Sequence, residues 1–160
     1  MNVTVNNPSL RLADAAGLLV QIGGGESRQP HFVGLEPGAE IDHDHRDVPW
    51  PLEDGSVLTL VVTNAAEHVE PRNFLGWFDE AWRVLKQNGQ IAIVTPYAGS
   101  PAWWADPLAV QGLTEATPWY FDPEHSTGLW ERYKPRPWKQ ERVTFHRQGN
   151  LEIVMRKRAA

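Results

Sequence analysis

Apolar positions in this chain fall into two rhythms that alternate along its length. Val57, Leu58, Leu60, Val61 and Val62 form a β-rich apolar run that stops at Thr63-Asn64, the pattern of a strand buried on both faces. A helical period follows: Phe74, Leu75, Phe78, Ala81, Trp82 and Leu85 gather on one stripe, while Arg72, Asp79, Arg83 and Lys86 fall elsewhere. Pro71 suits the first turn, Asn73 suits a cap, and Asn88-Gly89 is the expected stop. The run Ile91, Ala92, Ile93, Val94 then predicts a second strand over 90–95, closed by Pro96. Strand, helix and strand with short connections predict a βαβ unit with parallel strands and a right-handed crossover.

Upstream, residues 18–22 read as a strand running into Gly23-Gly24-Gly25, and 31–35 as another ending at Glu36-Pro37. Between Gly25 and Gly34 there is no room for a full helix, so a loop or single turn must make that crossover. Residues 41–44 are expected to add a short edge strand, 113–120 a short helix, and 124–139 an ordered loop rich in Pro, Trp and charge. Alternation over 142–146 and 151–156, joined at Gln148-Gly149-Asn150, predicts a terminal hairpin. The fold class expected is α/β: a Rossmann-like, doubly wound, mainly parallel sheet with an antiparallel C-terminal hairpin and few helices. No repeat or linker divides the chain, so residues 1–160 are read as one domain.

Composition narrows the function. A net charge of -5 gives no general attraction to phosphate backbones or anionic lipid. Arg156, Lys157 and Arg158 are the one local basic cluster, and a solvated tail accounts for them. The absence of cysteine excludes disulfides, thiolate metal sites and thiol nucleophiles and suits a reducing compartment. Residues 1–16 lack the basic start and apolar core of a signal peptide, and no run approaches the ~20 apolar residues of a membrane span, so a cytoplasmic protein is expected. Among the 8 tryptophans, Trp103, Trp104, Trp119, Trp130 and Trp138 crowd the C-terminal half. Core filling is the plainer explanation. The sharper one makes Trp103 and Trp104 a lid and Trp130 and Trp138 a surface for homo-oligomer formation.

A glycine-rich turn at the end of a first parallel strand lets backbone approach a ligand, at the crevice where open α/β sheets bind nucleotides. Gly23, Gly24 and Gly25 fit that place, although three glycines also make an ordinary tight turn. An acidic residue ending the second strand, Glu36, can accept both hydroxyls of a ribose; alone it is equally an exposed surface glutamate. With these stand, in order, Leu19-Val20-Gln21-Ile22, Gly34-Leu35-Glu36-Pro37, His43-Asp44-His45, Pro49-Trp50-Pro51, Glu53-Asp54-Gly55-Ser56, Glu67-His68-Val69, Arg83-Val84-Leu85-Lys86 and Thr95-Pro96. This series resembles the small class I S-adenosylmethionine-dependent methyltransferases with a shortened first crossover, over about residues 18–122.

The resemblance implies S-adenosylmethionine as cofactor and a methyl acceptor of unassigned class as partner. It puts the methionine end of the cofactor at Gly23, Gly24 and Gly25, the ribose at Glu36 and adenine near Asp44 and His45, with the Asp44 carboxylate on the exocyclic amine. Asn64, Ala65 and Glu67 would line the floor beneath the sulfonium, with Glu67 and His68 as candidate catalytic residues; a loop-anchoring hydrogen-bond pair is the plainer role for the last two. Two departures matter. Gln21 stands where the family has a carboxylate, and Asp106-Pro107-Leu108-Ala109 lacks the histidine of the family's Asp-Pro-Thr-His pattern.

Other readings compete with an active transferase. A catalytically degenerate domain kept for binding or assembly fits the same fold, and Gln21, Leu108 and Ala109 are where activity would be lost. His43-Asp44-His45-Arg46-Asp47 resembles the zinc motif of metallo-β-lactamase-like hydrolases, in which alternating histidines share a metal ion. There, however, another histidine follows the aspartate, and here Val48 and Pro49 follow; only the distant His68, His125 and His146 remain as ligands. No metal is therefore assigned. Ser27, Ser56, Ser100 and Ser126 all lack a Gly-x-Ser-x-Gly elbow, which excludes a serine hydrolase of that type.

Overall fold

The computed structural model describes residues 17–160; the expectation about a leader at residues 1–16 lies outside them. Six strands form one sheet: β1 (Leu18–Gly23), β2 (Val33–Gly34), β3 (Val57–Thr63), β4 (Leu85–Pro96), β5 (Trp138–Phe145) and β6 (Asn150–Lys157). Their order is β2-β1-β3-β4-β6-β5. The first three pairings are parallel, with Val20 beside Val33, Gln21 beside Val61, and Val61 beside Ala92. β6 then runs antiparallel to β4, Ile153 facing Ile93, and β5 antiparallel to β6. The hairpin that the alternation predicts thus lies at the edge opposite β2.

Val20, Ile22, Leu60, Val62, Ile91 and Ile93 are fully buried, which is what continuous apolar runs in central parallel strands require. Helix α1 (Phe74–Val84) covers one face with Phe74, Trp77, Phe78, Ala81 and Val84, spaced three and four apart. Trp77 belongs to this stripe although the sequence reading left it out. Glu80 also lies on the buried side, where it accepts the Trp50 N–H at 2.6 Å and two Arg83 hydrogen bonds at 2.7 and 2.8 Å. A carboxylate so fully engaged can sit among apolar groups without an uncompensated charge.

Several expected boundaries move. The helix stops at Val84, because Leu85 is already extended and pairs with Val57. Asn88 (φ 63) and Gly89 form an irregularity within β4 in place of a helix stop. Asn73 makes no side-chain cap. The strand over 31–35 shrinks to two residues, and Ile41 contributes a single bridge to Leu35 where an edge strand was expected. Residues 113–120 do not form one helix: Leu113 bridges to Tyr97, and a 3-10 turn covers Thr117–Tyr120. β5 begins at Trp138, four residues earlier than the alternation suggests.

The tryptophans divide. Trp138 is fully buried, 6.0 Å from Phe78, which stacks on Phe121 at 4.2 Å. It is core, which corrects its expected place on a surface; Trp130 is half-buried and donates to the Pro135 carbonyl. Trp104 is 72% exposed on the short helix α2 (Pro101–Ala105). Among the described residues no helix is long and apolar enough to cross a membrane.

Candidate active site

The C-terminal ends of β1, β2, β3 and β4 meet at one edge of the sheet, and the loops leaving them carry the sequence-selected residues. Gly23, Gly24 and Gly25 all take positive φ, at 71, 83 and 47°. At Gly23 the need is also steric, since a Cβ would come within 2.2 Å of the Thr63 carbonyl oxygen and 3.3 Å of the Ala65 Cβ. The glycine turn and the start of the 64–69 loop are thereby in direct contact. Asn64 is exposed at φ 48°, its N–H bonded to the Val94 carbonyl, and Ala65 is buried.

Gln21 is buried beneath this turn. Its amide nitrogen donates to the Gly23 carbonyl at 3.2 Å and its oxygen accepts the Gln29 N–H at 3.0 Å. The residue that departs from the family's acidic position is an internal brace for the turn, a role an amide fills with both a donor and an acceptor and a carboxylate does not. Glu36, beyond β2, accepts from Arg28 Nη2 at 3.1 Å.

Asp44 and His45 separate. Asp44 accepts Arg46 Nε at 3.0 Å and Arg46 Nη2 at 2.6 Å, and these bonds hold its carboxyl down at about 2. Its oxygens are already taken, so the expected contact to an adenine amine has a standing competitor. His45 turns inward, its ring edge-on to Trp77 at 6.2 Å. Burial pushes it down to about 4, and Nδ1 is buried without a partner among the described residues. The His45 carbonyl accepts the indole N–H of Trp50 at 2.8 Å and of Trp77 at 3.1 Å. This explains the Pro49-Trp50-Pro51 block: its tryptophan is an anchor that fixes the loop.

Glu67 is buried, and burial pushes its carboxyl up although Thr95 Oγ1 donates to it at 3.1 Å. Its backbone carbonyl accepts the N–H groups of Val110 and Gln111, each at 2.9 Å, which ties the 106–111 segment to the site. His68 is half-buried, with Nε2 2.6 Å from Asp106 Oδ2. Because an ionised carboxylate only accepts, Nε2 carries the proton of this bond, and in the neutral ring Nδ1 then holds the lone pair. The His68 bond and the Leu108 N–H, in that order, draw the Asp106 carboxyl below its ordinary value. Asp106 was missed as a functional residue; it is the part of the altered Asp-Pro motif that survives, and its partner lies 38 residues away.

His43 donates from Nε2 to the Asp47 carbonyl at 2.6 Å and is half-exposed, so it and the buried His45 face different surroundings. Among the described residues no three His, Asp or Glu side chains converge to hold a metal ion. The zinc-hydrolase alternative therefore loses its ligand set.

No protein-family model matches the sequence, and no curated protein does. Solved structures do. An S-adenosylmethionine-dependent methyltransferase from Mesorhizobium loti superposes with a TM-score of 0.59 at 14% identity, over 94% of this chain and 96% of that one. The 16S rRNA (adenine(1408)-N(1))-methyltransferase from Catenulisporales acidiphilia, with its cosubstrate SAM, gives 0.57 at 17% identity over 94% and 90%. A possible histamine N-methyltransferase from Thermotoga maritima gives 0.57 at 14% identity over 94% and 88%. Strand order, the antiparallel final pair and these superpositions agree: the chain has the fold of the class I S-adenosylmethionine-dependent methyltransferases.

Proposed function

We propose that this chain is a cytoplasmic S-adenosylmethionine-dependent methyltransferase. The observation that carries this is the glycine turn with no room for a Cβ at Gly23, packed on Ala65, with Glu36 at the next strand end. This is the crevice outside the carboxyl ends of the strands, where such sheets bind nucleosides, and its donors and acceptors suit an adenosyl ligand. Turn N–H groups meet the methionine end and Glu36 the ribose hydroxyls.

The bound cofactor supplies an electrophilic methyl group on a sulfonium, already a good leaving group. The protein's share is placement. Alignment of acceptor, methyl and sulfur supplies several kcal/mol of the barrier, on the order of what effective-molarity measurements give. Glu67 presents a carboxyl from the floor toward a cation. His68, held by Asp106, keeps Nδ1 free to take the proton of an acceptor O–H or N–H.

Calorimetry with S-adenosylhomocysteine tests the reading. A folded protein binds it, and Glu36→Ala weakens binding by about 1–3 kcal/mol through the lost ribose contacts. No heat at millimolar ligand would sink it. Gln21, with both amide atoms committed inside the turn, favours a second reading, a binding module on the same fold; ligand binding without methyl transfer to any acceptor is its signature.

A further inference from the structure

The connection from β1 to β2 carries an arginine where a parallel crossover ordinarily carries a helix. Arg28 follows the turn Gly25–Ser27, and its guanidinium presses on Gly34, where an added Cβ would come within 2.3 Å of Nη2 and 2.4 Å of Cζ. Only a residue without a side chain admits it there. From this seat Nη1 donates to Glu40 and Nη2 donates to Glu36 Oε1 at 3.1 Å. Glu40 Oε2 also accepts the Gly34 N–H at 3.0 Å. Burial works to raise the Glu40 carboxyl, but the backbone N–H groups of Glu40 and Gly34 and the Arg28 charge outweigh it and leave it lowered.

Arg28 is tethered from behind as well. Its neighbour Gln29 donates its N–H to Gln21, which in turn donates to the Gly23 carbonyl. A single run of polar contacts therefore links the glycine turn to Glu36. Arg28 Nε is buried and meets no acceptor among the described residues, so the guanidinium gives up part of its own hydrogen bonding to hold two carboxylates. Its grip takes Oε1 of Glu36 and leaves Oε2 outside the clamp. One guanidinium N–H on each carboxylate holds the two glutamates in a fixed relation to each other, which an ammonium point charge cannot reproduce.

We propose that Arg28, backed by Glu40 and seated on Gly34, is a positioning residue that orients Glu36 toward the ribose hydroxyls of an adenosyl ligand, in place of the crossover helix this chain lacks. This rests on the reading given under Proposed function. Arg28 touches no ligand; it acts through Glu36. The clamp on Glu36 and the Gln21 brace beneath the glycine turn adjoin at Arg28-Gln29, so the two ends of the cofactor crevice are held by neighbouring residues.

Binding to wild type, Arg28→Gln, Glu36→Gln and the double variant is measured by calorimetry with two probes, S-adenosylhomocysteine and its 2′,3′-dideoxyribose analogue. The expected result is an affinity for S-adenosylhomocysteine about tenfold weaker in Arg28→Gln, with affinity for the dideoxy analogue changed less than about twofold. The double variant binds S-adenosylhomocysteine no more weakly than Glu36→Gln alone, because the two residues act as one unit. Arg28→Lys, which keeps the charge but cannot bridge both carboxylates, behaves like Arg28→Gln and carries the test if the glutamine variant does not fold. Equal losses for both probes make Arg28 a plain support of the loop and overturn the proposal. Tighter S-adenosylhomocysteine binding in Arg28→Gln makes it a plug in the ribose place and overturns it equally. A folded wild type that binds neither probe removes the functional reading and this inference together, whereas a wild type that binds while Arg28 proves indifferent removes this inference alone.

Discussion

The two flanks of the sheet are held by contacts of different kinds. Beside β1 and β2 the crossover is a loop, and Gln21, Arg28, Glu36 and Glu40 hold it through hydrogen bonds and half-exposed ion pairs. Beside β4 and β6, Phe78, Phe121 and Trp138 pack ring on ring, and Trp82 lies between Arg136 at 4.9 Å and Lys157 at 3.8 Å. Partly exposed ion pairs contribute about 1 kcal/mol or less each, whereas removing a buried indole costs about 3–5 kcal/mol. The flank bearing the candidate ribose site is thus the weakly held one, and stability resides at the other. Binding loops drawn from the low-stability end of a fold adjust to a ligand without unfolding the rest.

The largest test of this contrast is Trp138→Ala, expected to lower unfolding free energy by about 3–5 kcal/mol in urea titration. Trp104→Ala, at an exposed ring, should stay within about 0.5 kcal/mol. A loss in Arg28→Gln, on the other flank, comparable with that in Trp138→Ala would refute the division. Next comes acid. Folded His45 titrates near 4 against 6.5 for the free group, so between those values the unfolded chain binds a proton that the folded one does not. Stability from this group is intact above pH 6.5 and declines as pH falls toward 4, by up to about 3 kcal/mol. Glu67, raised by burial, works in the opposite direction, and Asp44, near 2, contributes only at lower pH. His45→Asn should flatten the slope of melting temperature against pH in that window; an unchanged slope assigns it to other groups.

A smaller effect is expected at Glu67. Glu67→Gln keeps an acceptor for Thr95 and removes a buried charge, so it should leave stability unchanged or raise it by about 1 kcal/mol at neutral pH. The same change should weaken S-adenosylmethionine more than S-adenosylhomocysteine, since only the former carries a sulfonium. Equal weakening would place Glu67 away from that charge. A small effect is also expected for Arg28→Gln, with a stability loss of about 1 kcal/mol or less that shrinks further as salt rises.

The sequence made the central βαβ unit legible because buried parallel strands and a one-sided helix leave unmistakable periods; the stripe through Phe74, Phe78 and Ala81 is an example. Its limits were set by tertiary contacts. Leu85 suits a helix by spacing, yet pairing with Val57 draws it into β4. The polar groups were harder still. Glu80 reads as a surface residue until Trp50 and Arg83 surround it, and the pairing of His68 with Asp106 joins residues that no periodicity connects. Motif order marked Glu36 and the glycine turn but carried no sign that Arg28 holds the one and Gln21 the other, since Arg28 stands at no position the family pattern specifies and Gln21 departs from the residue it specifies.

Both edges of the sheet discourage a second strand from adding. β2 is two residues long, and its outer side is occupied by the 36–41 turn, where the Ile41 N–H bonds the Gly34 carbonyl and the Glu36 N–H bonds the Ile41 carbonyl. At the far side β5 is longer, but its register breaks between Gln140 and Arg142, and Lys139, Glu141 and Arg142 line it with charge. A stub, a kink and alternating charges are the devices by which natural sheets resist templated growth. In this protein they oppose edge-to-edge pairing of the open sheet with that of another copy.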